Sequence, residues 1–390
     1  WYAAFRMLKN YLQGISRPGK LVVFLDEVPW METRKSDFVS ALEGFWNGWG
    51  SGENNLLLIL CGSATSWITK KVFSNKGGLF NRDTDRIYLE PFTLKETEEF
   101  LDRRQICLTR KDIAECYMIM GGIPYYLDKI EKGMSFSQNI DNIFFKKRAR
   151  LWDEFTHLYA SLFDNPEPHL KIVKALNTKR SGLTRAEISE ATKIPPNGNL
   201  TRVLKELEDS GFVLSYKDWT KTKKGNIYRL SDFYTIFYLD FVQENYGDDE
   251  NFWTNRIDSS MHRAWTGFAF ELLCMNHIPQ IKAALGISGV ATRQFSWRGE
   301  DKSGKRSQID LLIDRRDGVI DLCEVKFASG LYAITKGYES ELVDKIEVFR
   351  NATKTNKSIH LVMVTTFGLS ANSHTSLVQN SIILDDLFLH

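Results

Sequence analysis

Three residues in the last third of the chain have the types and spacing that phosphodiester chemistry needs. Asp310 stands in Gln308-Ile309-Asp310-Leu311-Leu312-Ile313, alternating with apolar neighbours, and Glu324-Val325-Lys326 lies in the next apolar run. Side chains two apart on a strand share a face, so Glu324 and Lys326 point the same way. A hairpin turning around Asp314–Gly318 sets Asp310 beside them. Converging carboxylates bind Mg²⁺, a hard cation that prefers oxygen. The ion activates water and stabilises the leaving oxygen, while Lys326 steadies charge on the phosphorus. The competing reading is a half-exposed sheet on which charges alternate and pair with one another. A strand flanked by Leu322, Cys323 and Phe327, however, rarely keeps two charges without a partner or a task. Tyr338 and Lys345, on the helical pattern that follows, are spaced to face the same spot.

The first third carries a second candidate. Leu21-Val22-Val23-Phe24-Leu25-Asp26-Glu27 has the form of a Walker B segment. An apolar strand holds a carboxylate at the edge of a sheet, where Asp26 can orient Mg²⁺ and Glu27 can polarise the attacking water. The plainer alternative is a surface loop that happens to open with Asp-Glu. The next apolar run, Leu56 to Cys61, leads into Gly62-Ser63-Ala64-Thr65, the place from which a polar residue senses the γ-phosphate in P-loop ATPases; Ser63 is the candidate. Arg82 and Arg86 precede a third run, Arg86 to Leu89. A guanidinium there matches phosphate geometry, across a subunit interface or otherwise; surface ion pairs are the alternative.

Five segments taken in order carry a resemblance. They are Phe24 to Trp30, Ala41 to Asn47, Cys61 to Trp67, Leu89-Glu90-Pro91-Phe92, and Gly121-Gly122-Ile123-Pro124-Tyr125-Tyr126-Leu127. Together they resemble the archaeal-type ATPases, AAA+/STAND-like P-loop proteins. The resemblance covers most of residues 1–160 and continues in order through the rest. It implies that Asp26 and Glu27 are the Walker B carboxylates, with Asp26 on Mg²⁺ and Glu27 catalytic. It also implies that Ser63 and Arg82 contact ATP and that Gly122 and Pro124 shape a lid. Asn81 stands where the family often has Gly before the arginine. No G-x-x-x-x-G-K-[ST] occurs; Gly19-Lys20 runs into a strand instead of opening a helix. The chain opens at Trp1 inside a helical pattern, and in the family the Walker A segment lies upstream of such a helix. The expectation is therefore a longer protein whose phosphate cradle precedes Trp1.

In the last third the order helix–Glu, strand–Asp, strand–Glu-x-Lys, helix resembles the PD-(D/E)XK nucleases. By position that resemblance implies Asp310 and Glu324 as metal ligands, Lys326 as the catalytic lysine and Glu271 as the helix acid. Ile309 replaces the usual proline before the aspartate.

These residues must be positioned by three kinds of element. Short apolar runs alternating with helical periods over residues 1–120 predict a parallel α/β sheet. Leu21 to Leu25 reads as a strand buried on both faces. From about residue 165 come helices at 169–177, 184–192 and 199–210, then strands at 212–216 and 226–230. The pair Thr184/Glu187 forms a capping box, and the whole has the pattern of a winged helix. Arg202 and Lys205 lie on its third helix; Lys217, Lys221, Lys223, Lys224 and Trp219 lie on the wing, where lysines can track a phosphate backbone. Beyond residue 260 one long helix, Met261 to Leu285, is expected, then strands at 290–297, 308–314 and 319–326, a helix at 338–350 and a strand at 360–365.

The expected fold class is thus α/β. An incomplete P-loop-type parallel sheet with a helical lid spans 1–160, a winged helix with a linking helix 161–258, and a PD-(D/E)XK nuclease-like domain 259–390.

Composition narrows the function. The 390 residues hold 51 Lys+Arg against 49 Asp+Glu, so DNA contact must come from a local patch. No apolar run spans a membrane and no signal peptide stands at the start. Five dispersed cysteines fit a reducing cytoplasm. The expectation is an ATP-binding switch, using ATP and Mg²⁺, fused to a nuclease-like domain. It would act on or near DNA through residues 217–224 and the C-terminal domain, as a possible homo-oligomer. The alternative is a non-catalytic module that binds nucleic acid or protein.

Overall fold

The computed structural model describes residues 1–15, 18–33, 36–62, 68, 69, 72, 78–217, 226–245, 247–301 and 304–389. The fold is α/β, with both parallel and mixed sheets. Two compact units make up the chain. One holds Trp1–Leu89, Tyr159–His169 and Gly198–Gly211; the other holds Glu90–Leu158, Leu170–Asn197 and Phe212–His390. No helix among the described residues is long and apolar enough to cross a membrane. All five cysteines are free, and Cys116, Cys274 and Cys323 are buried.

The first unit is built on two parallel strands, β1 (Leu21–Leu25) and β2 (Leu56–Leu60), in register from Leu21↔Leu56 to Leu25↔Leu60. The helices Tyr2–Gln13 and Phe38–Gly48 supply Phe5, Leu12, Phe38, Leu42 and Phe45 to a core that takes Val23 from the sheet. Burial on both faces is not what β1 shows. Val22 and Phe24 stand 57% and 53% exposed, and Leu57 and Ile59 are exposed beside them. A continuous apolar run makes both faces coverable, but a covered face needs a second layer, and among the described residues only one is present. Residues 86–89 likewise form no strand. Ile87, Tyr88 and Leu89 are highly exposed, without the neighbouring strand whose ladder would define one.

The second unit centres on a five-stranded sheet of order β10-β9-β8-β7-β6: β6 (Thr292–Glu300), β7 (Arg306–Arg315), β8 (Val319–Lys326), β9 (Ser358–Thr365) and β10 (Asn380–Ile383). The first three pair antiparallel and the last three parallel. The helix Lys336–Thr353 brings Leu342, Val348 and Phe349 onto one face, against Leu312, Leu322, Leu361 and Met363. Cys323 and Val325 alternate to the other face. The helix Ser260–Asn276 packs on β8 as well, with Phe270 and Phe327 rings 5.1 Å apart. β3 (Leu183–Thr184), β4 (Val213–Lys217) and β5 (Asn226–Leu230) form a small antiparallel sheet of order β3-β5-β4. The Thr184/Glu187 capping box is formed.

The long helix expected from Met261 to Leu285 is two, Ser260–Asn276 and Ile278–Ala284. Pro279 lacks an N–H and crowds the preceding turn, so the first helix stops and a new one starts with proline in its first turn. His277 stands at the break, and its ring is buried. Nδ1 lies 2.9 Å from the Leu273 carbonyl, and Nε2 accepts the Leu94 N–H at 3.1 Å. Those two bonds fix a neutral tautomer, with the proton on Nδ1. The bond to Leu94 satisfies the start of the helix Leu94–Arg103.

Burial holds the His277 imidazole below its ordinary value of 6.5, against the pull of the Leu273 carbonyl. Its share of stability is therefore present above about pH 6.5 and lost as the pH falls, because an unfolded histidine takes a proton that the folded ring refuses. His277→Ala should cost about 1–3 kcal/mol at neutral pH by leaving the Leu94 N–H unpaired and should flatten the acid side of the stability curve. Urea titrations across that range check it. Gly122 has φ +69°, and a Cβ there would lie 2.3 Å from the Phe92 carbonyl oxygen. Gly122→Ala should thus destabilise by roughly 2–4 kcal/mol, read as a fall in the unfolding midpoint.

Candidate functional site

The β7–β8 ladder runs from Asp314↔Ile320 to Leu311↔Cys323 and stops there. One residue further on each strand stand Asp310 and Glu324. On its other side β7 pairs with β6, and between Leu312↔Phe295 and Ile309↔Trp297 the register shifts. Asp310 and Leu311 together oppose Ser296 alone, which is a β-bulge. Bulges bend a strand and re-aim a side chain, and this one falls on the candidate acid.

Glu324 is 6% exposed and fully engaged. Lys326 Nζ lies 2.9 Å from Oε1 and Lys345 Nζ 2.7 Å from Oε2; the Tyr338 hydroxyl donates to Oε1 at 2.5 Å. Two of these donors come from the helix Lys336–Thr353, so that helix and β8 share one buried charge cluster. Burial pushes the Glu324 carboxyl up, but the Lys326 and Lys345 ammonium groups outweigh it and hold the acid below its usual range. Burial would lower Lys326; the Glu324 carboxylate holds it above its ordinary value.

Glu271 rises from the helix Ser260–Asn276. Burial, then the charge of Asp310, lifts its carboxyl from 4.5 to about 7, against the field of Arg229 and Lys326. The structure therefore brings Asp310, Glu324, Lys326 and Glu271 into one electrostatic neighbourhood. Asp310 is half-buried and accepts from Gln308 Nε2 at 2.6 Å.

Asp310 and Glu324 are carboxylates, the ligand type a hard divalent cation prefers. Among the described residues no group of three or more His, Cys, Asp or Glu is placed to hold a metal ion. Both oxygens of Glu324 already face cations or a phenol. In this arrangement Lys326 and Lys345 supply the positive charge. The residues can orient an ammonium group and exchange a proton near neutrality at Glu271.

At the first candidate, Asp26 and Glu27 follow the carboxyl end of β1, beside Cys61 at the end of β2. The crevice at the carboxyl ends of parallel strands is where open α/β sheets take ligands. Val28 N–H reaches the Cys61 carbonyl at 2.9 Å. Asp26 is exposed and accepts from the Glu27 N–H at 3.0 Å; burial, then Asp26, raises the Cys61 thiol. Glu27 has φ +46°, a left-handed position unusual for a non-glycine residue. Ser63 lies outside the described residues. Arg82 is exposed, and Arg86 pairs with Asp83. Asp26 and Glu27 are carboxylates at the end of a strand, the residue type a nucleotide-bound cation requires. No glycine-rich cradle with lysine accompanies them, so they do not by themselves hold ATP phosphates.

Arg202 bonds Glu206 at 2.7 Å and Lys205 pairs with Asp209, both on their own helix, Gly198–Asp209. Lys221, Lys223, Lys224 and Trp219 lie outside the described residues, as does the side chain of Lys217. Sequence reasoning missed Arg229. It is buried in β5, with Nη1 3.2 Å from Met275 Sδ and its guanidinium 5.2 Å from the Phe268 ring centre. A charge between Tyr228 and Leu230 on a short strand gave no sign of this.

No family model matches the chain. The uncharacterised protein MJECL04 of Methanocaldococcus jannaschii is 25% identical over 275 residues, 70% of this chain and 58% of that protein. The chain thus spans under two thirds of that relative's length. Among solved structures, the Walker-type ATPase PABY2304 of Pyrococcus abyssi aligns over 57% of this chain and 63% of that one, at 16% identity and a TM-score of 0.39.

Glu271 stays protonated in the fold up to about pH 7 against an ordinary value of 4.5. Its share of stability is whole at acid pH and is lost as the pH rises through that interval. Glu271→Gln should therefore become more stable relative to wild type between about pH 5 and pH 8, by on the order of 3 kcal/mol. Urea unfolding at both values checks this; a difference independent of pH would exclude Glu271 as the titrating group.

Proposed function

We propose that the chain works as an ATP-dependent switch that acts on nucleic acid through a nuclease-like site at the ends of β7 and β8. The observation that carries the reading is the bulge at the end of the β7–β8 ladder, which sets Asp310 in the field of Glu271, beside Glu324 and Lys326. In this reading Lys326, oriented by Glu324, meets a phosphodiester oxygen, and Glu271 gives or takes a proton. The PD-(D/E)XK resemblance of residues 259–390 supports the substrate class. The resemblance of residues 1–160 to archaeal-type ATPases supports the switch, with Asp26 and Glu27 in the Walker B roles. In that switch ATP binding shifts the domain of residues 259–390 between states. The winged-helix pattern of residues 161–258 stands between these two segments in the chain.

A second reading is favoured by the saturation of Glu324. With both oxygens held by Lys326, Lys345 and Tyr338, the site binds a strand without cutting it.

Full-length protein, with and without Mg²⁺ or Mn²⁺, should bind labelled DNA more weakly as Lys326→Met, by roughly 10-fold if one charged contact is lost. Strand cleavage that vanishes in Lys326→Met supports the first reading. Binding without cleavage supports the second. Unchanged affinity and no cleavage would end both. ATP binding by the full-length protein, measured with and without Asp26→Ala, tests the switch separately; no binding in either removes it.

A further inference from the structure

A cavity of about 500 Å³ lies beside the Asp310 bulge, and nothing above makes use of it. Ser296 and Leu311, which face each other across the bulge, both line it. So does Met275, one turn along its helix from Glu271. Leu214 and Tyr216 of β4 bring in the small antiparallel sheet. A molecule seated here is therefore anchored within one residue of Asp310 and one helical turn of Glu271.

The walls suit a flat, polar-edged ligand. Tyr216 offers an aromatic ring, while Ser296 and Gln294 offer hydrogen-bonding groups; the Phe295 ring turns to the other face of the sheet, into the core under the helix Lys336–Thr353. The volume is that of a small-ligand site, roughly 300–1,000 Å³. Aromatic stacking combined with hydrogen bonds to base edges is how proteins hold single-stranded nucleic acid.

A second observation points to an anion next to the cavity, at Arg229, which does not line it but touches the lining residue Met275. Arg229 shares a rung with Leu214, so the two side chains stand on one face of the sheet. It is 4% exposed, and its Nε has no hydrogen-bond partner. Its neighbours are the Met275 sulfur and the Phe268 ring, with the Glu271 carboxyl, protonated to about pH 7, in its field. A thioether, a ring and an uncharged acid leave a buried cation wanting an anion. Lys282, on the cavity wall itself, is a second cation, spending one donor on the Val290 carbonyl at 3.1 Å.

We propose that this cavity takes one unstacked base of a single-stranded nucleic acid, with the adjoining phosphate paired to Arg229 and the backbone led towards Asp310. The proposal rests on the nucleic-acid reading of the neighbouring site and names its substrate as unpaired strand. A base locked in a duplex cannot enter; one turned out of the stack can.

The test uses the full chain and fluorescence anisotropy with three probes: a short single strand, the same strand made wholly abasic, and a free nucleoside monophosphate. Wild type should bind the base-bearing strand roughly 10- to 100-fold tighter than the abasic one. Ser288→Trp, which fills the cavity from the segment before β6, should erase that difference and leave abasic affinity alone. Leu214→Trp, filling it from β4, should do the same, and circular dichroism shows whether either variant is folded. Arg229→Met should weaken both strands. Equal affinity for the two strands in wild type overturns the base pocket while sparing the nucleic-acid reading. No affinity for either strand overturns both. Cavity-dependent binding of the free nucleotide as tight as that of the strand overturns the assignment to a strand.

Discussion

A buried carboxylate, Glu324, ties the helix Lys336–Thr353 to the five-stranded sheet of the second unit. Glu324 has almost no contact with water, and taking a charged carboxylate out of water costs several kcal/mol unless partners compensate it. Three do: Lys326 from its own strand, and Lys345 and Tyr338 from the helix Lys336–Thr353. Removing one donor strands a charge, so the helix cannot slide on the sheet without that cost. The same strand shows the contrast. Asp321 is completely buried on the opposite face, and neither of its oxygens has a hydrogen-bond partner. Arg315 and His360 approach only to 3.5 and 4.0 Å, and burial pushes its acid up. One strand thus carries an acid held charged by its partners and another driven towards neutrality for want of them.

How much of this the sequence could show depends on range. Asp310, Glu324 and Lys326 were readable as a group because period two and a short hairpin are local rules. The capping box at Thr184 was readable for the same reason. The bulge was not: Ser296 in β6 lies 14 residues before Asp310, as near as Glu324 lies after it, but nothing in Ile309-Asp310-Leu311 marks the two-against-one pairing. Pro279 could have stopped the helix at 277, but the apolar pattern on both sides masked it. The exposed face of β1 departs from its sequence reading because an apolar run states what a strand can bury, and the rest of the fold decides what it does bury. Arg229 needed a tertiary contact with Met275 and had no local sign.

Charge balance explains why these features belong together. Glu324 is matched by two lysines, so its negative charge is spent. Asp310 is not matched in this way, and with burial its field keeps Glu271 protonated to near neutrality. A phosphate arriving at this end of the sheet adds another negative charge, so it must meet a cation or find Glu271 uncharged. Lys326 is tied to Glu324, and Lys345 with it. Arg229 is the buried cation beside Glu271 whose Nε has no partner, and it comes from the small antiparallel sheet. Binding of an anion here would therefore be coupled to how β5 seats against the helix Ser260–Asn276, and any shift of that sheet changes both the Glu271 proton and the charge offered to the anion.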